Sequence, residues 1–371
     1  MKSNNIFKKF ISFSLATLSV IFISNCKGES NQKTELIGLN NFETAKITQT
    51  QSLRNLAESA GMRMGTSVLI NPLREDGTYR EVLGREFNNL TPENAMKFGQ
   101  LSTARGNYNF ADADEIVAFA QNHNMQIHGH TLVWHRNLPD WFKNGQWSRQ
   151  EAMKILREHI FTVVRRYRGK VTSWDVVNEA ISDQGTLRDS IWLQTIGPEY
   201  IEMAFRWAHA ADPKARLFYN DYNAEQLGKK SHAVYKLVQQ LRQKDVPIHG
   251  VGFQMHTSIK KPPSSKAVSA NIERLEKLGL EVKITEMDVK IHEDDKPRSE
   301  KLAAQAKIYQ NIANVCLKAP NCNSLTTWGV ADHWSWVPKF FNRTDAPLLF
   351  DEFYQPKPAY TALSETFYQN K

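Results

Sequence analysis

Eight short strand-like runs, separated by helical stretches, constrain this chain more than any other feature. The runs are Arg63–Val68, Phe87–Leu90, Gln126–Leu132, Val171–Val177, Arg216–Tyr219, Gly250–Gln254, Glu281–Thr285 and Ser324–Trp328. Between them lie patterns of helical period, such as Ala111–Asn122, Glu151–Tyr167, Glu199–Ala210, Ser231–Gln243, Ala267–Leu278 and Glu300–Leu317. Strands divided by helices of that length form βαβ units with parallel pairing. Eight such units close a sheet on itself, so the expected architecture is α/β, a single (β/α)8 TIM barrel over residues 52–371. An open doubly wound sheet is the alternative. It would more often carry a glycine-rich nucleotide loop, and Gly250-Val251-Gly252 lacks the third glycine and any phosphate-binding follow-up. In a closed barrel, function gathers on the loops at the C-terminal ends of the strands.

The residues at those ends are of one kind. Strand two runs into Glu93, Asn94 and Lys97, and strand three into His128, His130, Trp134 and His135. Strand four ends in Asn178 and Glu179, strand five in Asn220, Asp221, Tyr222 and Asn223, and strand six in Gln254 and His256. Strand seven ends in Glu286 and Asp288, and strand eight in Trp328, followed by Trp334 and Trp336. Carboxamides, lysine and histidine hydrogen-bond hydroxyl groups, and indole rings lie flat on the apolar faces of pyranoses. Two glutamates at the ends of different parallel strands can face one another across a cleft. That pair is the minimum equipment for hydrolysing a glycosidic bond. Taken singly, each residue fits an ordinary structural role; the ordered set is what argues for a sugar site. His128, His130 and His135 have the composition of a metal cluster but not a zinc-protease spacing, and no metal or cofactor is expected. A serine-hydrolase elbow, G-x-S-x-G, does not occur.

Composition supports an ordinary globular enzyme, with 41% apolar and 23% charged residues. The formal charge is +8, of which Lys2, Lys8 and Lys9 supply three; without them it is +5. The excess is spread along the chain, with no basic stripe of the kind nucleic acid requires. Those three lysines precede an uncharged run, Phe10–Ser24, rich in Ile, Phe, Leu and Val. The run is too short to span a bilayer comfortably and suits the apolar region of a signal peptide. Residues 1–25 are therefore expected to be a leader. Ile23-Ser24-Asn25-Cys26 is similar to the site where bacterial lipoproteins are cleaved and acylated on cysteine, with Asn25 a departure from the usual glycine or alanine. Cys26 is the expected lipid site, and residues 26–51 the lipidated Cys and a short tether. The expected location is exported, anchored to a membrane only through that lipid, otherwise secreted. Cys316 and Cys322 flank a turn-like stretch and are expected to pair, since exported chains favour disulfides.

At this point a family resemblance is evident. Phe87 to Lys97, Gly129 to His135, Trp174 to Glu179, Tyr219 to Asn223, Gln254-Met255-His256, Ile284 to Asp288 and Thr327 to Val330 resemble, in order, the motifs of the family 10 glycoside hydrolases. Pro347 to Asp351 and Pro356 to Tyr360 match as well. The resemblance runs from about Leu53 to Tyr368. Phe98, Met287 and His128 depart from the residues common in that family (Trp, Leu and Arg), and none touches the two glutamates.

The resemblance implies an endo-1,4-β-xylanase that hydrolyses internal linkages of xylan with retention of configuration. It makes Glu179 the acid/base and Glu286 the nucleophile, with their carboxyl groups about 5–5.5 Å apart. His256 would orient Glu286, Asp288 would hold His256, and Asn178 would contact the sugar 2-hydroxyl. Glu93, Asn94 and Lys97 would bind the next sugar on the non-reducing side, with His130, Trp134 and Gln254 on the same glycone wall. Trp328 and Trp336 would stack on the sugar at the cleavage point, and Tyr222 and Asn223 would lie toward the aglycone. The Cys316–Cys322 pair corresponds to the family's disulfide before strand eight. The expected partners are xylan and xylo-oligosaccharides, and the expected state is a monomer. The alternatives are a non-catalytic xylan-binding surface lipoprotein and a related β-glycanase.

Overall fold

The computed structural model describes residues 51–371; the leader, Cys26 and nearly all of the tether lie outside the described residues. Eight parallel strands form a closed ring: β1 Arg63–Val68, β2 Asn89–Pro92, β3 Gln126–Gly129, β4 Ser173–Asn178, β5 Arg216–Asp221, β6 Gly250–Phe253, β7 Glu281–Lys290 and β8 Cys322–Thr327. Closure is made by β8 pairing with both β7 and β1, as in Gly65 opposite Thr326 and Ile284 opposite Leu325. A short strand, His256–Ser258, runs beside the far end of β7, setting Asp288 opposite His256.

Each strand is followed by a helix: α1 Gly77–Glu86, α2 Ala111–Asn122, α3 Arg149–Arg166, α4 Glu199–Ala211, α5 Lys229–Gln243, α6 Ser265–Glu276, α7 Arg298–Leu317 and α8 Pro358–Gln369. Local chemistry fixes where several of them start. Asp76 accepts from the Thr78 and Tyr79 amides at the head of α1. Ser148 and Glu151 cap α3 reciprocally, satisfying amides that have no partner within the helix. Gly279 ends the turn between α6 and β7 at φ 70°, a left-handed conformation that glycine adopts without steric cost.

The ring of helices is joined through the buried carboxylate of Glu86. It accepts from the Leu53 amide (2.8 Å), at the start of helix Leu53–Ser59, and from the Tyr360 hydroxyl of α8 (3.0 Å). The expected disulfide is present, joining the last turn of α7 to the first residue of β8 with Cα atoms 5.0 Å apart.

Two layers of core follow from strand geometry. Trp174 and Val176 of β4 are fully buried, Trp174 beside Tyr167 at the end of α3. Ser173 and Asp175 face into the barrel, as Ser173 shows by reaching Lys283 of the non-adjacent β7 at 2.8 Å. Gly129 lies so close to Trp174 that a Cβ there would fall 2.1 Å from the indole, so β3 can sit against β4 only with glycine at this point.

The strand boundaries differ modestly from expectation. β3 ends at Gly129, although the Leu132 and Val133 amides still bond to the Asp175 and Val176 carbonyls at 3.0 Å. β7 extends to Lys290 and shifts register against β8 twice, between Val282 and Ile284 and between Ile284 and Met287.

Candidate active site

Glu286 lies midway along β7, almost wholly buried. Its Oε1 accepts from Asn220 Nδ2 at 2.6 Å, and its Oε2 lies 3.3 Å from His256 Nε2. The other nitrogen of that ring, Nδ1, is 2.8 Å from Asp288 Oδ2, which also accepts from Trp336 Nε1 at 2.8 Å. Burial alone would make His256 easier to deprotonate. The Asp288 carboxylate, with Glu286 behind it, outweighs burial and pushes the imidazolium up to about 10. At neutral pH both ring nitrogens therefore donate, one to Glu286 and one to Asp288.

Glu179 follows β4 in the left-handed conformation, φ 57°. Its Oε2 accepts from Trp134 Nε1 at 2.9 Å and its Oε1 from Gln254 Nε2 at 3.2 Å. The main chain is gripped from both sides: its N–H donates to Asn220 O (2.8 Å), and its carbonyl accepts from Arg188 Nε (2.7 Å). His135 Nδ1 lies 3.9 Å from Glu179 Oε2, and burial pushes this imidazole down to about 4, so it is neutral.

The two glutamates share one network. Asn178 Oδ1 accepts from Asn220 Nδ2 (2.9 Å) and from Gln254 Nε2 (3.3 Å). Asn220 thus reaches Glu286 and Asn178, while Gln254 reaches Asn178 and Glu179. Thr285 completes the set by donating to Asn220 Oδ1 at 2.7 Å.

The expected glycone residues form a second group. Glu93 accepts from the Ser67 hydroxyl at 3.1 Å, and its carboxyl is pushed up by burial although Lys97 works against the shift. Lys97, itself pushed down by burial, donates to Asn94 Oδ1 (3.0 Å) and stands 4.9 Å from the centre of the Trp134 ring. Trp328 meets His130 and His256 edge-on, at 5.2 and 6.3 Å between ring centres. Tyr222 accepts from Arg188 Nη2 at 2.9 Å, and Lys230 lies 3.4 Å above its ring. Asn223 is exposed, with φ 53°. The loop bearing Trp334 and Trp336 is fixed from beneath by the buried pair of Lys357 and Asp332, 2.9 Å apart.

The three histidines of the third strand do not converge on one point. His128 Nε2 and His130 Nδ1 each stand 2.9 Å from a different oxygen of Asp175, while His135 stands beside Glu179. His130, Asp175 and Glu286 bring potential ligand atoms within 4.8 Å of one another. Their close approach is accounted for by His130 pairing with Asp175 and by Asn220 bonding Glu286.

Sequence reasoning gave no role to Asn220, Arg188, Asp175 or Asp221. Asn220 had a usable signal: it lies one residue before the end of β5, in register with Asn178. Asp221 is fully buried; burial pushes its carboxyl up to about 7 against the pull of Lys230, 2.8 Å away. Gln254 sits between Asn178 and Glu179 and contacts the catalytic pair directly.

A closed barrel with carboxylates at the ends of β4 and β7, in a cleft of indoles, amides and imidazoles, defines the class of barrel glycosidases. Within that class the chain belongs to glycosyl hydrolase family 10, whose sequence profile matches residues 52–366. It is 46% identical over 320 residues to endo-1,4-beta-xylanase B of Thermotoga neapolitana, covering 86% of this chain and 92% of that one. Endo-1,4-beta-xylanase 1 of Gibberella zeae is 36% identical over 328 residues, covering 86% and 91%. Among solved structures, xylanase 10B from Thermotoga petrophila in complex with xylobiose superposes with a TM-score of 0.84 at 46% identity, covering 86% of this chain and 97% of that one.

Proposed function

We propose that this protein is an endo-1,4-β-xylanase that cleaves internal β-1,4 linkages of xylan with retention of configuration. The observation that carries this reading is the shared network in which Asn220 and Gln254 tie Glu286 and Glu179 into one cleft. Glu286 is the nucleophile and Glu179 the acid/base. Glu179 gives its proton to the leaving glycosidic oxygen as Glu286 attacks the anomeric carbon, forming an ester. Water then attacks that carbon, Glu179 takes the proton from the water, and Glu286 leaves as carboxylate.

The neighbouring groups serve those two steps. His256 donates to Glu286, and Asp288, itself held by Trp336, fixes the imidazole. Asn178, whose oxygen is already engaged, offers its amide N–H to the 2-hydroxyl at the cleavage point. Glu93, Asn94, Lys97, His130 and Trp134 bind the glycone, Trp328 and Trp336 face the sugar being cleaved, and Tyr222 and Asn223 meet the aglycone. Trp336 crowds the place a C6 hydroxymethyl would take, favouring xylose over glucose by on the order of 10–200-fold. The chain acts as a monomer on xylan and xylo-oligosaccharides. It is exported behind the leader of residues 1–25 and held to a membrane by a lipid on Cys26, and Cys26→Ala should move it to the aqueous phase in detergent partitioning.

A proton NMR time course on xylohexaose tests the activity. Early internal products in the β configuration are expected. Intact substrate with shifted sugar signals would replace the reading with a binding protein, and α products would remove retention. Glu286→Ala should abolish turnover of every substrate; appreciable residual activity would reassign the nucleophile.

A further inference from the structure

A column of polar side chains climbs the inside of the barrel from its floor to the glycone wall, and only its upper end serves the roles above. At the floor, Lys283 near the start of β7 donates to Ser173 Oγ at 2.8 Å. Ser173 Oγ lies 2.7 Å from His128 Nδ1, and His128 Nε2 stands 2.9 Å from Asp175 Oδ1. The other oxygen of Asp175 accepts from His130 Nδ1, also at 2.9 Å. Ser173, His128, Asp175 and His130 are buried, and Lys283 is partly so. His128 stands where arginine is common in the family, so the charge state at this point is a property of this chain.

Donor and acceptor chemistry directs each hydrogen between Lys283 and His130. An ammonium can only donate and a carboxylate can only accept. Ser173 therefore receives a hydrogen from Lys283 and has its own to give to His128 Nδ1. His128 then carries its hydrogen on Nε2, facing Asp175. The other neutral tautomer would set a lone pair against the carboxylate, and an imidazolium would leave the Ser173 hydrogen buried without an acceptor. Burial also disfavours the imidazolium; Asp175 pulls the other way, and the positive charge of Lys283 adds to the effect of burial. Lys283 keeps that charge in neutral solution, since burial brings it down only to about 8. Glu281, on the same strand, is engaged by Arg216. Phe218 of β5 meets both groups, with the ammonium 4.5 Å from its ring centre and the imidazole edge-on at 5.8 Å.

We propose that Lys283 is a positioning residue: acting through Ser173 from the barrel floor, it holds His128 neutral with its hydrogen on Nε2, and so leaves the negative charge of Asp175 to orient His130 in the glycone wall. Were His128 charged, it would take that negative charge for itself, and the hold on His130 would weaken. The effect on turnover rests on the glycone assignment made above; the state of His128 does not.

Long-range proton–nitrogen NMR spectra at about pH 6 read which ring nitrogens of His128 carry hydrogen, with His128→Asn identifying the signals. The unaltered protein should show a single hydrogen, on Nε2. Lys283→Met should let His128 take up a second hydrogen and should lower kcat/KM on xylohexaose about three- to tenfold, the worth of one ordinary hydrogen bond. Lys283→Arg, again a cation that can only donate, has room in the recess of about 450 Å3 that Lys283 lines and should restore both readings. Lys283→Gln, neutral and polar, takes the place of the methionine variant if that does not fold. A hydrogen on Nδ1 in the unaltered protein, or a His128 spectrum unchanged in the neutral variants, overturns the proposal whatever the activity. So does a second hydrogen on His128 with turnover within about twofold of the unaltered enzyme. An unaltered enzyme inactive on xylohexaose would remove the xylanase reading, while the spectra would still decide the state of His128.

Discussion

Truncating Arg188 asks whether the acid/base is held in place by a group that never touches the substrate. Its guanidinium donates to the Glu179 carbonyl (2.7 Å), the Ile181 carbonyl (3.2 Å) and the Tyr222 hydroxyl (2.9 Å). Glu179 itself is left-handed at φ 57°, a conformation that costs a residue with a Cβ about 1–2 kcal/mol. A hydrogen bond from a charged donor contributes roughly 1.5–3 kcal/mol, and Arg188 is part-exposed, so water recovers some of that. The lower figure is therefore the appropriate one. In Arg188→Ala the backbone at Glu179 can relax toward an ordinary conformation, carrying the carboxyl away from the leaving oxygen. A loss of about 1.5–2 kcal/mol in the protonated step is roughly a 10–30-fold drop in kcat/KM.

The assay is a pair of substrates. Xylohexaose needs a proton on its leaving oxygen and should show the full loss. A dinitrophenyl xylobioside, whose leaving group departs without one, should lose no more than about threefold. Arg188→Lys keeps the charge without the fork geometry and should fall between. Equal losses on the two substrates would mean that Arg188 acts on the fold or on binding rather than through the acid, and the reasoning would be wrong.

Three further outcomes are expected. Asn220→Ala removes a 2.6 Å donor from Glu286, leaves the oxygen of Asn178 with only Gln254 and strands the hydroxyl of Thr285; kcat on xylohexaose should fall about 10–150-fold with a comparable loss in urea stability, and activity within threefold would refute the network. His256 is charged in the fold up to about 10 but has an ordinary value of 6.5 when unfolded. Its contribution is thus complete below about pH 6.5 and is lost as pH rises through 10, on the order of several kcal/mol in all. Urea midpoints should decline across that window in the unaltered protein and stay flatter in His256→Asn; parallel decline in both would count against the pairing. Removing the disulfide by Cys316→Ser opens a loop spanning six residues of separation, which should cost about 2 kcal/mol. Activity at 25 °C should be unchanged, because Cys322 begins β8 at the end opposite Trp328; lost activity with intact folding would refute that separation.

Much of this could be read from the chain itself. The alternation of strand and helix was enough for the barrel, because period, length and bounding turns are local properties. Less legible were features set by pairing between distant strands. Strict alternation would send Thr285 and Glu286 to opposite faces of β7, yet both bond Asn220. The register shift between Ile284 and Met287 breaks the period at that point, and only the pairing with β8 shows it. The end of β3 at Gly129 is likewise decided by its neighbours, since the Leu132 and Val133 amides find partners on β4 without regular strand pairing.

The roles of Asn220 and Gln254 were within reach by a different route. In a closed ring of parallel strands, sequence order is spatial order. Glu179 follows β4 and Glu286 sits on β7, so whatever ends β5 and β6 must stand between the two carboxylates. The residues there are Asn220 and Gln254, both amides, and both side chains donate to a glutamate through Nδ2 or Nε2. An amide can bridge two acceptors without adding charge between groups that must differ in protonation during turnover. A lysine in either place would favour both carboxylates ionised and deprive the acid of its proton; an aspartate would oppose ionisation of the nucleophile. Ring order supplies the position, and the chemistry of two unlike carboxyl groups supplies the residue type.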